Sequence, residues 1–190
     1  MHRLGLPPLA LAALLPFCAS SAAAVLDATA SGFTIENSRD VPVDAEAAWK
    51  ALVGDVDRWW PKDHTWWGAQ STLSIDARAG GCFCERVREA GAGPAREALH
   101  MTVTFVEAGK LMRMVGGLGP LQGMGLHGAM EWRIAAAGEG RSKITLWYRA
   151  GGYAPDDLGK LAPVVDQVQG VQLGALADYL AAGGERRKDG

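Results

Sequence analysis

The stretch WWPKDHTWWG, residues 59–68, contains four of the seven tryptophans of the chain. Indole rings bury large apolar areas, and each carries one N–H group that needs a partner. A cluster that is interrupted by a proline, a lysine, an aspartate and a histidine is typical of the half-exposed mouth of a pocket rather than of a sealed core. We call residues 59–68 the Trp segment and predict that it covers an apolar pocket, with ligand contacts from Trp59, Trp60, Trp66 and Trp67.

The residues before the Trp segment predict one strand and a helical region. Residues 32–41 (GFTIENSRDV) are rich in β-type residues and partly alternate, and Pro42 ends the run. Asp44 then has the position of an N-cap for residues 45–60, in which apolar residues recur at helical spacing with a break at Gly54. The Trp segment therefore lies where short helices lead into a sheet.

The residues after the Trp segment predict an antiparallel meander and a final helix. Apolar residues alternate at a period of two in several segments between residues 71 and 149, whereas the glycine-rich residues 117–128 predict a long loop. Residues 164–180 return to helical spacing, and Gly170 and Gly174 allow close approach to a neighbour. The predicted apolar face consists of Val164, Val168, Val171, Leu176, Tyr179 and Leu180. We predict an α+β fold in which a curved antiparallel sheet of about six to seven strands wraps on this C-terminal helix.

The N-terminal residues predict a secretory signal peptide. A short basic start is followed by an apolar run over residues 4–17 and by small residues up to Ala24, where we expect cleavage. The run is shorter than the roughly 20 residues that span a bilayer, which argues against a membrane anchor. No membrane span is expected in the mature chain. The prediction is a periplasmic or secreted protein with a spacer at 25–31, one domain at 32–183 and a disordered tail at 184–190.

Composition agrees with one globular domain and narrows the partners. The chain has 190 residues, 48% hydrophobic and 21% charged, and a net charge of −2 gives no basic excess for nucleic acid. In an oxidising compartment Cys82 and Cys84 would tend to pair. At a spacing of two on a strand, however, their Cα atoms would lie about 6.7 Å apart, which predicts no unstrained disulfide.

Glu85 is the first candidate for acid–base chemistry. Alternation places Glu85 on the inner face of its strand with Phe83, while the cysteines and arginines face outward. Burial raises the pKa of a carboxyl group in such a place and suits it to proton transfer. The alternative is a structural carboxylate paired with an arginine, for which Arg113 is available if its strand faces inward.

Two further residues are candidates for polar contact with a ligand. His64 is the only residue of the Trp segment that titrates near neutral pH, although it could simply hydrogen-bond Asp63. Tyr148 would place a phenol in the pocket, although its hydroxyl could instead be bound to the backbone. The other expected ligand contacts are inward-facing side chains of the strands and the last helix: Phe83, Met101, Phe105, Trp132, Val168 and Gln172.

No metal and no cofactor are predicted. Cys82, Cys84 and His100 would converge on the outer face of the sheet, but a flat solvated face lacks the second shell that orients metal ligands. No dinucleotide fingerprint and no phosphate-binding P-loop appears in the sequence.

Five features in this order resemble the SRPBCC superfamily. They are the Trp49 helix followed by Trp59-Trp60-Pro61, the Gly80-Gly81-x-Phe83-x-Glu85 turn and strand, the strand at 128–132, the strand at 142–148 and the helix at 163–180. This superfamily of helix-grip proteins includes START domains, the pollen-allergen fold, polyketide cyclase/dehydratase-like proteins and Hsp90-activator-like proteins. The resemblance implies a hydrophobic cavity between the sheet and the long helix.

Three functions fit these observations. The first is an exported protein that binds a small hydrophobic molecule, lipid-like or aromatic, in the cavity. The second is a metal-free cyclase, dehydratase or isomerase that acts on a polyketide-like or aromatic substrate, with Glu85, His64 and Tyr148 as acid–base groups. The third is a module with a protein partner, which would need an exposed apolar patch instead of a deep pocket.

Overall fold

The structure, a computed structural model, describes residues 22–87 and 96–183. In these two ranges the chain forms eight strands and four α-helices, joined by short turns and three 3₁₀ turns. The strands are β1 (Ala22–Thr29), β2 (Gly32–Val41), β3 (Ser71–Ile75), β4 (Cys82–Val87), β5 (Arg96–Glu107), β6 (Leu111–Gly116), β7 (His127–Ala136) and β8 (Ser142–Gly151), and the helices are α1 (Ala45–Gly54), α2 (Val56–Trp59), α3 (Pro120–Gly123) and α4 (Ala162–Ala181).

All eight strands form one antiparallel sheet in the order β1-β2-β8-β7-β6-β5-β4-β3. Helix α4 packs on this sheet against β1 and β2, and α1 contacts β7 and β8. The predicted α+β helix-grip fold is therefore confirmed. The sheet has one strand more than predicted, because residues 22–29, expected as the end of the signal peptide and a spacer, form β1 against β2.

The helical region before the Trp segment forms as predicted. The Asp44 side chain accepts a hydrogen bond from the backbone N–H of Ala47 at 2.8 Å and so caps α1. Helix α1 ends at Gly54 and α2 begins two residues later, which confirms the break. The glycine-rich segment predicted as a loop contains the single turn α3, which begins at Pro120.

Helix α4 buries the second half of the predicted apolar face, Leu176, Tyr179 and Leu180, but not the first half. Val164, Val168 and Val171 are 58%, 36% and 48% exposed, and the buried residues include Gln169, Gln172, Leu173 and Leu176. The three valines are thus partly exposed, while the two glutamines are buried.

The two glycines of α4 also differ from each other. A Cβ atom added to Gly170 would lie 3.1 Å from the side-chain oxygen of Asn37 on β2, so the predicted close approach is confirmed there. A Cβ atom added to Gly174 would meet nothing within 4 Å, and the prediction for Gly174 is wrong.

The inner face of the sheet is apolar and settles the orientation of β6. The buried side chains of β6, β7 and β8 include Met112, Met114, Met130, Trp132, Ile134, Ile144, Leu146 and Tyr148. Arg113 therefore faces outward, where its Nε atom donates to Glu131 at 2.7 Å. Burial raises the pKa of Glu131, but hydrogen bonds from Arg113 and Arg133 outweigh it and leave this pKa below its usual value.

Strand β5 carries two β-bulges that change which of its side chains face inward. Phe83 pairs with Met101 while Cys84 pairs with Leu99, so His100 is an extra residue on β5, and a second shift inserts Thr104. Each inserted residue reverses the alternation beyond it. His100, expected on the outer face, is therefore buried on the inner face of the sheet, with 6% of the residue exposed.

The second bulge has the opposite effect on Phe105. Regular alternation predicts this ring on the inner face, but it is 43% exposed, and the Arg113 guanidinium lies 5.5 Å from its centroid. The predicted ligand contact of Phe105 is therefore wrong.

Cys82 and Cys84 form a disulfide with a Cα–Cα distance of 5.5 Å. The first register shift falls between these two cysteines, and their Cα atoms approach more closely than in a regular strand. The regular-strand distance of about 6.7 Å, on which the expectation of no unstrained disulfide was based, therefore does not apply to these two cysteines. The predicted tail at 184–190 lies outside the described residues, as do residues 1–21 of the predicted signal peptide.

Candidate functional site

A cavity of about 390 Å³ lies between the Trp segment, the α3 region, the inner face of the sheet and α4. Ligand pockets commonly measure roughly 300–1,000 Å³, so this one has room for a small organic molecule. Its walls are mostly apolar with a few polar side chains, and they consist of Trp60, Asp63, His64, Thr65, Trp66, His100, Leu118, Gly119, Pro120, Leu121, Met124, Tyr148, Leu161, Val164, Val165, Val168, Gln169 and Gln172.

The four tryptophans of the Trp segment divide into two pairs. Trp60 and Trp66 line the cavity, and Trp66 is 48% exposed. Trp59 is buried, donates from Nε1 to the Ala51 carbonyl at 3.0 Å and packs edge-on against Trp132. Trp67 lies beside Arg96, whose guanidinium is 5.7 Å from its ring. Trp59 and Trp67 thus hold the segment in place and do not line the cavity.

The remaining predicted contacts also divide. Val168 and Gln172 line the cavity. Phe83, Met101 and Trp132 are buried in the core and do not line it. The Phe83 ring packs against the rings of Trp60 and His100, each with a centroid distance of 5.1 Å.

Glu85 is fully buried and its carboxylate accepts several hydrogen bonds. Oε1 accepts from the backbone N–H groups of Trp66 at 2.8 Å and Trp67 at 3.3 Å and from the Ser71 hydroxyl at 2.6 Å. Oε2 lies 2.8 Å from Nε2 of His100. The inward orientation of Glu85 is as predicted, but its partner is His100 rather than Arg113, and the carboxylate holds the Trp segment to β4 instead of lining the cavity.

His100 was expected on the outer face of the sheet, but it lies on the wall of the cavity. Its ring lines the cavity, its Nε2 faces Glu85, and its Nδ1 is buried without a hydrogen-bond partner in the described part of the chain. The bulge that turns it inward depends on the pairing of β4 with β5, which local sequence does not reveal.

Other polar side chains of the cavity wall also have buried atoms without a hydrogen-bond partner among the described residues. His64 Nδ1, both amide atoms of Gln169 and Oε1 of Gln172 are buried and make no hydrogen bond to the described residues. Among the described residues, no hydrogen bond joins the His64 side chain to Asp63, which was the alternative. The backbone carbonyl of His64 accepts a hydrogen bond from Trp60 Nε1 at 3.2 Å. Buried polar atoms are normally satisfied, so these atoms call for a ligand or water in the cavity.

Tyr148 also lines the cavity, and its hydroxyl is bound to the backbone. It lies 3.4 Å from the Gly116 carbonyl, to which it donates, and 3.5 Å from the Leu118 nitrogen, from which it accepts. Burial raises the pKa of Tyr148 to about 12, so the phenol stays neutral at physiological pH and is not a proton acceptor.

The described residues contain no group of three or more His, Cys, Asp or Glu side chains that could hold a metal ion. The three residues considered for an outer-face metal site do not converge, because Cys82 and Cys84 are bonded to each other and His100 faces inward. No helix within residues 22–87 and 96–183 is both long and apolar enough to cross a membrane.

A curved antiparallel sheet that encloses an apolar cavity against a long C-terminal helix defines a helix-grip protein. Residues 32–181 match the family described as polyketide cyclase / dehydrase and lipid transport, and the chain belongs to this family of the SRPBCC superfamily. A comparison with curated protein sequences gave no match.

Solved structures share the fold at low sequence identity. CalU16 from Micromonospora echinospora is 13% identical with a TM-score of 0.56, and the match covers 88% of this chain and 90% of that one. The Mll3558 protein from Rhizobium loti is 21% identical with a TM-score of 0.55, over 79% and 96% of the two chains. DynU16, of the dynemicin biosynthetic locus, is 18% identical with a TM-score of 0.51, over 79% of this chain and 48% of that one. At these identities the likeness concerns the fold alone.

Proposed function

We propose that this protein binds a small, largely apolar organic molecule, lipid-like or aromatic, that carries at least one polar group. The observation that supports this most directly is the set of unpartnered buried polar atoms on His64, His100, Gln169 and Gln172 around one apolar cavity. The apolar walls provide the affinity, and the few polar atoms orient the ligand. The family description, which names both polyketide cyclisation and lipid transport, is in keeping with such a ligand.

The other two functions are weighed on the same cavity. Its volume favours a small molecule over a protein partner, whose binding would need an exposed apolar patch. An enzyme that acts on the bound molecule is the second candidate, and the pairing of Glu85 with His100 at the cavity wall is the observation that favours it.

We also propose export, with cleavage after Ala24. The N-terminal sequence supports this, and so does the Cys82–Cys84 disulfide, since such bonds persist in oxidising compartments. Cleavage there would leave Val25, which pairs with Ile35, as the first residue of the mature strand β1. The intact mass of the protein recovered from the producing cells tests this: it should correspond to a chain that starts at Val25, and a full-length mass would contradict it.

Binding is tested by calorimetric titration with naphthalene and 2-naphthol, which share one apolar body and differ by a hydroxyl group. Both should bind, and 2-naphthol should bind more tightly by about 1 kcal/mol, because its hydroxyl satisfies one of the buried polar atoms. Val165→Phe, which fills the cavity from α4, should abolish binding, whereas Val171→Phe on the outside of the same helix should not. Absence of binding to the wild type, or equal binding to both variants, would contradict the proposal.

A further inference from the structure

Beyond binding, we propose that His100 is a general base directed into the cavity, with Glu85 as the residue that positions it. This inference rests on the proposed function, since the base acts on a molecule bound in the same cavity. His100 satisfies the geometric requirement: its ring lines the cavity, it is 6% exposed, and its Nδ1 has no hydrogen-bond partner in the described chain.

The hydrogen bonds of Glu85 determine which nitrogen of His100 carries the proton. A carboxylate only accepts hydrogen bonds, so Nε2, at 2.8 Å from Oε2, is the protonated nitrogen. Oε1 already accepts from Trp66, Trp67 and Ser71, and these donors fix the orientation of the carboxylate. A neutral imidazole carries one N–H, so Nδ1 keeps a free lone pair, and the ring that carries it lines the cavity.

This arrangement of a carboxylate, an imidazole and a free ring nitrogen is the orientation that general-base catalysis requires. The ligand class is an apolar molecule with an acidic C–H or O–H group that reaches Nδ1. The second histidine of the cavity, His64, lacks such a carboxylate partner among the described residues. Of the two histidines that line the cavity, only His100 is therefore held in place by a carboxylate among the described residues.

A chemical probe of a base in an apolar cavity is the ring opening of 5-nitrobenzisoxazole. The base removes the C3 proton, the C–H electron pair becomes the third bond of a nitrile, and the N–O bond breaks with its pair on oxygen. The product is a coloured 2-cyano-4-nitrophenolate, and the proton ends on His100 Nδ1. No other reactant is needed.

The experiment compares wild type, His100→Gln, Glu85→Gln and the control His127→Gln for this reaction at neutral pH. His100→Gln should lower the protein-dependent rate at least about 100-fold, the usual contribution of a general base. Glu85→Gln retains an acceptor for Trp66 and Ser71 but turns an N–H toward His100 Nε2, so the ring proton moves to Nδ1 and the rate should fall to a similar extent. The KM for the probe should change little in both variants. His127→Gln, which replaces an exposed histidine at the start of β7 outside the cavity, should retain the full rate.

The ¹⁵N shifts of the His100 ring give a readout that a purely structural role of Glu85 would not move. They should show Nε2–H in the wild type and Nδ1–H in Glu85→Gln. A saturable probe with equal rates in wild type and His100→Gln would overturn the base assignment and leave the binding proposal standing. A probe that does not saturate the wild type would overturn both, and a proton on Nδ1 in the wild type would overturn the assignment of the base.

Discussion

Glu85→Leu should be one of the most destabilising substitutions in this protein, because Glu85 accepts hydrogen bonds from groups in three separate parts of the chain. A leucine of similar size leaves the Trp66 N–H, the Ser71 hydroxyl and the His100 Nε2–H without their acceptor. Each of the three buried donors left without an acceptor costs about 1–3 kcal/mol, so we expect a loss of roughly 3–9 kcal/mol in the free energy of unfolding. This is a large fraction of the roughly 5–15 kcal/mol by which folded domains are stable.

The assay is urea unfolding followed by tryptophan fluorescence, with the Trp segment as reporter. Glu97→Leu is the matched control, because Glu97 also lies at the β4–β5 pair but on the outer face, where it contacts Arg86 with 60% of its side chain exposed. The control should change stability by less than about 1 kcal/mol. Glu85→Gln, which keeps an acceptor for Trp66 and Ser71, should cost much less than the leucine. Equal midpoints for Glu85→Leu and Glu97→Leu would refute the role assigned to Glu85.

Three further predictions concern other parts of the site and fold. The raised pKa of Tyr148, about 12 in the folded chain against 10.0 ordinarily, means that the folded state holds its proton longer than the unfolded state. Stability from this group is complete below pH 10 and is lost toward pH 12 by up to about 1.4 kcal/mol per pH unit, a dependence that Tyr148→Phe should remove in unfolding measurements at alkaline pH. Gly174→Ala should raise the free energy of unfolding by about 0.5–1 kcal/mol, whereas Gly170→Ala should gain less because its Cβ would lie 3.1 Å from Asn37; equal gains in thermal melts would contradict this. Trp66→Ala should weaken 2-naphthol binding in calorimetry yet change stability by less than about 1 kcal/mol, because the ring is 48% exposed, and an unchanged affinity would remove Trp66 from the site.

The parts of the fold that local signals determine could be predicted from the sequence. The Asp44 cap, the break after Gly54 and the alternation of β6 to β8 are encoded within a few neighbouring residues. The inward orientation of Glu85 follows from the same alternation along β4. A period of two or of 3.6 residues is therefore sufficient to predict these elements and the inward orientation of Glu85, which holds the Trp segment to β4.

The parts that depend on pairing between strands could not be predicted in this way. One inserted residue in β5 turns His100 inward, and another turns Phe105 outward, although the sequence itself shows no break in alternation there. Helix α4 misleads for a different reason, since a cavity wall buries polar Gln169 and Gln172 while the valines remain exposed. Sequence patterns indicate which residues pack against a core, whereas these residues of α4 border a cavity.

Native mass spectrometry of the protein purified from the cells that produce it tests the central claim most directly. The account predicts that the wild type and Val171→Phe carry an adduct with the mass of a small organic molecule, and that Val165→Phe, with its cavity filled, carries none. The same adduct on Val165→Phe would show that the molecule binds elsewhere. A wild type that carries no adduct and also binds neither naphthalene nor 2-naphthol would contradict the account.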